Sequence, residues 1–123
     1  MWTPQQLEQF AAADDCRIAP FREDGATPGT PTFIWSVVTP DGLFVRAYSG
    51  RGSSWFQAAL KQKAGQIHLA GQVHDVSFEP VSDDANDAID AAYRAKYGAS
   101  RYLGSMISPR ARAATVRVLP RNA

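Results

Sequence analysis

Leu43-Phe44-Val45-Arg46-Ala47-Tyr48-Ser49-Gly50-Arg51-Gly52-Ser53-Ser54-Trp55-Phe56-Gln57 is a strand that runs through a short Gly/Ser/Arg loop into a helix. Its first part alternates: Leu43, Val45 and Ala47 face one way, and Phe44, Arg46 and Tyr48 the other. The loop then delivers the chain to the positive end of a helix, where backbone N–H groups lack intrahelical partners. Arg51, Ser53 and Ser54 add a cation and two hydroxyls. This is the chemistry that holds a phosphate, and it suits a nucleotide-like cofactor.

Upstream, Thr32 to Thr39 is a second β-rich run, and Pro40-Asp41-Gly42 between the two runs is a hairpin signal. Downstream, the helix covers Ser54 to Gln62. Gln66 to Ala70 and Gln72 to Pro80 then form a hairpin about Gly71, with His74, Val76 and Phe78 on its core face. At the N-terminus, Thr3, Pro4 and Gln6 make a capping box for a helix over Pro4 to Ala13, with Trp2 and Leu7 placed as a hydrophobic staple. A strand follows near Cys16 to Phe21, and Glu23 to Pro31 reads as a turn or ordered loop. Asp83-Asp84 opens a further helix to about Tyr97. A loop containing Tyr102, Gly104 and Pro109 leads to a last strand, Ala113 to Leu119. Hairpins joined by helices give an α+β domain, read as a six-stranded barrel or strongly curved antiparallel sheet with flanking helices.

The chain has 123 residues, 45% hydrophobic and 20% charged, with a formal net charge of +1. That length predicts a single domain, 1–123, with a core that needs no disulfide. Neither a nucleic-acid partner nor a membrane is expected: the charge is balanced, and no run approaches the ~18 apolar residues of a spanning helix. Cys16 is the one cysteine, which excludes an internal disulfide and fits a cytoplasmic setting. It reads as a buried strand residue. His68 and His74 lie across a hairpin without a third ligand, so no metal is expected. The Asp83, Asp84, Asp87 and Asp90 series reads as a solvated helix N-terminus.

Four segments resemble an uncharacterised bacterial family, domain of unknown function 2255. They are Thr32 to Val38, Leu43 to Phe56, Asp90 to Tyr97 and Ser108 to Thr115. More distantly, the element order from Thr32 to Pro80 resembles the flavin-binding split-barrel superfamily, which includes pyridoxamine phosphate oxidases and deazaflavin-dependent nitroreductases. That likeness implies a six-stranded antiparallel split β-barrel, a homodimer, and FMN or a deazaflavin coenzyme held by its phosphate on Arg51, Ser53 and Ser54. Thr30 and Thr32 occupy the region of the earlier, contributing strand. No arginine stands in that strand, where the oxidases often have one.

The candidate cofactor-binding residues are therefore Thr32, Arg46, Tyr48, Ser49, Gly50, Arg51, Ser53, Ser54 and Trp55. Trp35, Tyr48 and Trp55 are candidates to stack on a flat ring, and Arg46 either neutralises a bound anion, pairs with a carboxylate or only packs on its aromatic neighbours. The expected activity is hydride transfer carried by the cofactor. The alternative is a non-enzymatic binding module for a small anionic ligand or a partner protein. An enzyme using acid and base residues directly would draw on His74 and Glu79, which fall on opposite faces of one strand.

Overall fold

Trp2 donates its indole N–H to the Val118 carbonyl at 2.8 Å and meets Phe10 edge-on at 4.9 Å, which ties the first helix to the last strand. The structure, a computed structural model, describes residues 1–121. Helix α1 (Pro4–Ala12) opens on a complete capping box. The Gln6 N–H donates to Thr3 Oγ1 at 3.0 Å and the Thr3 N–H to Gln6 Oε1 at 2.9 Å, so two donors at the helix end are satisfied reciprocally.

The strands are β1 (Arg17–Pro20), β2 (Thr32–Phe33), β3 (Ser36–Thr39), β4 (Gly42–Arg46), β5 (Ala64–Leu69), β6 (Gln72–Pro80) and β7 (Thr115–Pro120). They form one antiparallel sheet in the order β2-β1-β5-β6-β7-β4-β3. The strongly curved antiparallel sheet read from the sequence is present, but the six-stranded split barrel is corrected in its strand count and in being open. There are seven strands, because the run from Thr32 to Thr39 is two strands rather than one. Thr32 pairs with Ile18 of β1, while Ser36 pairs with Val45 of β4, at the opposite edge of the sheet. Only Ile34 and Trp35 join these edges. Since an extended residue advances at most ~3.6 Å, the sheet must curl until its edges lie within about 11 Å of each other there. β2 and β3 do not pair, so the curl is an open half-barrel.

Inside the curl, Ile18, Leu43, Val45, Ile67, Val76 and Val116 converge on Phe56 and Ala59 of α2 (Ser54–Gln62). Fully burying an aliphatic or aromatic side chain of this size stabilises by about 1.5–3 kcal/mol, so this layer holds the curl together. On the outer side, α3 (Asn86–Tyr97) lays Ile89 and Tyr93 against Val37 and Phe44, joined by Met106 of α4 (Leu103–Met106). β4 is sandwiched between these layers and is buried at every position. The alternation read from the sequence holds, with Leu43 and Val45 inward and Phe44 outward toward α3.

The segment expected to be a loop before the last strand carries two short helices, α4 and α5 (Pro109–Arg112). Ser108 caps α5 by accepting the Ala111 N–H. No helix among the described residues is long and apolar enough to cross a membrane.

Candidate functional site

Where the two edges of the half-barrel approach, a cavity of about 420 Å³ opens. One wall is the crossing segment Thr32, Phe33, Ile34 and Trp35; a second is the loop from Arg46 to Trp55; Tyr102 and Met106 form a third. Its size lies within the range of small-ligand sites.

The loop wall follows from local sequence. β4 ends at Arg46, and Gly50 at φ 83 turns the chain through a 3-10 turn over Gly50–Gly52. Ser53 is extended and stands at the N-cap of α2, but its side chain makes no capping bond. The first intrahelical bond is Gln57 N–H to the Ser53 carbonyl at 3.0 Å. The N–H groups of Ser54, Trp55 and Phe56 thus precede the helical ladder, at its positive end. Ser53, Ser54 and Trp55 line the cavity, so the start of α2 borders it, while Phe56 lies outside the lining.

Arg46 reaches the cavity but gives its donors elsewhere. Its Nε donates to Thr115 Oγ1 at 3.0 Å, one terminal nitrogen to Asp90 Oδ1 and to the Met106 carbonyl at 3.0 Å, and the other to Asn86 Oδ1 at 3.0 Å and the Asn86 carbonyl at 3.3 Å. All five guanidinium N–H groups are accounted for. The side chain is fully buried and lies 5.2 Å from the centre of the Tyr93 ring, whose phenol is pushed up by burial. Asp90 is buried rather than part of a solvated helix N-terminus, because α3 turns it onto β4. Arg112 Nε approaches the other Asp90 oxygen at 3.7 Å.

Of the nine candidate residues, Thr32, Arg46, Tyr48, Ser49, Ser53, Ser54 and Trp55 line the cavity together; Gly50 and Arg51 lie outside the lining. Arg51 donates to the Ala113 carbonyl at 3.2 Å and sits 5.6 Å from the Phe56 ring centre. Gly50 is buried under Arg110: a Cβ there would stand 2.5 Å from Arg110 Cγ. With its stem across Gly50, Arg110 places its guanidinium 5.6 Å from the centre of the Tyr48 ring. Trp35 stacks on Tyr97, with ring centres 4.1 Å apart and planes 4° from parallel.

Phe33, Ile34, Tyr102 and Met106 were not singled out from the sequence. Their place depends on the edge-to-edge crossing and on α4, neither of which has a local signal in spacing or composition. Phe33, Tyr48 and Tyr102 are about half exposed at the rim.

The lining contains no Asp, Glu, His or Cys. His74 packs away from it, edge-on to Trp2 and Phe10 at 5.3 and 5.4 Å. Cys16 is buried outside the lining, and burial pushes its thiol up to about 12. No group of three or more His, Cys, Asp or Glu among the described residues is placed to hold a metal. What the cavity offers is an aromatic wall, paired hydroxyls and unladdered amides. An aromatic wall is complementary in shape to a flat ring, and free hydroxyl and amide donors are complementary in charge to an anionic group.

Residues 6–118 match the family described as "Uncharacterized protein conserved in bacteria (DUF2255)", and the chain belongs to that family. No curated protein and no solved structure matches it.

Proposed function

We propose that this member of the DUF2255 family binds a flavin-type coenzyme, FMN or a deazaflavin, in the cavity at the open seam of its half-barrel, and that it is an oxidoreductase through that coenzyme. The observation that supports this reading is that the start of α2 and an aromatic wall open into the same cavity of about 420 Å³. Ser53 and Ser54 with the amides of Ser54, Trp55 and Phe56 would hold the phosphate by hydrogen bonds that strengthen on a charged acceptor. Trp35, Tyr48 and Trp55 would pack on the ring, and the stack of Trp35 on Tyr97 supports a fixed indole plane. Bound there, the coenzyme supplies hydride transfer, while the chain's own residues bind, orient and exclude water. The network around Arg46 and Asp90 fixes the relation of β4 to α3 and α4, and so the distance between the loop wall and Met106.

The alternative, a non-enzymatic module for a small anionic ligand, draws on the lining's lack of carboxylate, imidazole and thiol. A flavin-fluorescence titration with FMN and then riboflavin decides between them. The expected result is saturable FMN binding, about tenfold or more tighter than riboflavin, as charged hydrogen bonds to the phosphate require. Failure of both FMN and a deazaflavin coenzyme to bind overturns the coenzyme reading in favour of the module.

A further inference from the structure

We infer that the mouth of the cavity is a second, separate anion subsite, made by Arg110 on the Tyr48 ring and Arg101 on the Tyr102 ring, and that it takes the oxyanion of an aromatic acid. The inference rests on the cavity being a ligand site, as proposed above, but not on the ligand there being a flavin.

Tyr48 and Tyr102 are 46% and 47% exposed. Their ring centres lie 6.3 Å apart with planes at 74°, an edge-to-face corner on the cavity rim. A third ring completes such a corner by the same offset or edge-on geometry. Each tyrosine also carries an arginine: Arg110 Cζ is 5.6 Å from the Tyr48 ring centre and Arg101 Cζ 5.1 Å from that of Tyr102. Arg101 additionally donates to Tyr102 Oη at 3.0 Å. A guanidinium has five N–H donors, so Arg110 beside its ring and Arg101 with one bond to Tyr102 Oη keep further N–H groups to meet an oxyanion.

No carboxylate among the described residues forms an ion pair with either cation. The ion pairs among the described residues use Arg46, Lys61 and Arg112, and none uses Arg101 or Arg110. The cavity lining contributes no carboxylate. Gly50 fits the same reading: the missing Cβ is what lets the Arg110 stem cross the loop to reach Tyr48. The subsite lies on the α4 and α5 side of the mouth, whereas the proposed phosphate cradle lies at the start of α2. The two anion sites are built from different residues and separate by mutation.

A carboxylate and a phosphate offer the same chemistry to these guanidinium groups, so calorimetric titrations of the purified chain use benzoate, phenyl phosphate and the neutral analogue benzamide. The expected result is saturable binding of at least one of the two anions, with benzamide about tenfold weaker, and loss of that preference in Arg101→Gln/Arg110→Gln. Circular dichroism of the double variant confirms the fold, and both side chains are exposed. Benzamide binding as well as both anions, or a preference that survives the double substitution, overturns the subsite. The anion that binds more tightly identifies the group read. FMN provides the separation from the coenzyme reading. If FMN fails while an anion still binds in an arginine-dependent way, the coenzyme is wrong and the subsite stands. If FMN binds and the anion preference is absent, the subsite alone is wrong.

Discussion

Arg46 and Asp90 form an ion pair sealed between β4 and α3, with the arginine fully buried and the aspartate nearly so. Two buried charges are tolerable only because the remaining donors of Arg46 go to Thr115, Asn86 and the Met106 carbonyl. Removing one partner strands the other. Asp90→Ala is expected to destabilise by about 3–5 kcal/mol in urea unfolding. Arg46→Met, of similar length and without a charge, should cost less, since Asp90 keeps Arg112 within 3.7 Å. An Asp90→Ala variant as stable as the parent would mean that the pair does not close.

Ser53 separates stability from binding. An N-cap serine whose hydroxyl caps its helix loses about 1 kcal/mol on replacement by alanine, but the Ser53 side chain makes no such bond. Ser53→Ala should therefore leave the urea midpoint nearly unchanged while weakening FMN by about 0.5–1.5 kcal/mol. Riboflavin affinity should not move. The opposite pattern, lost stability and retained FMN affinity, would assign the hydroxyl to the helix instead.

Gly50 is a backbone requirement of the loop. At φ 83 any side chain is strained, and a Cβ would collide with Arg110. Gly50→Ala is expected to cost about 1–3 kcal/mol in thermal or urea unfolding. It should also displace Arg110 from Tyr48, visible as a change in the Tyr48 ring resonances.

His74 sets a pH dependence. Burial lowers its pKa below the ordinary 6.5. The unfolded chain then takes up the proton first, so stability is complete above about pH 6.5 and falls as the pH drops through the unfolded and then the folded value. Asp15 and Asp24 have lowered pKa values too, but their contributions are lost only as the pH approaches and passes below 3.8. The melting temperature should thus fall from pH 7.5 to 5.5 in the parent chain and fall less in His74→Leu. Equal slopes in the two proteins would remove His74 as the cause.

Much of the fold is legible in the sequence because it is local. The capping box at Thr3, the alternation of β4 and the core face of β6 each follow from neighbours a few residues apart. The division of Thr32–Thr39 is not local. Ile34 and Trp35 have the same β character as the residues around them, and only the change of pairing partner from β1 to β4 breaks the strand. The same event makes the cavity, so its loop wall was foreseeable and its crossing wall was not. Asp90 misled for a related reason: an acidic residue in the first half of a helix is ordinarily solvated, and its burial follows from an arginine that the chain places more than forty positions earlier.

The most direct test of the central claim is an amide chemical-shift titration of the isotopically labelled chain with FMN. The largest shifts are expected at the amides of Ser54, Trp55 and Phe56 and at the Trp35 indole, saturating together, with little change along β5 and β6. Saturating shifts confined to another face of the sheet, or none at all, would contradict it.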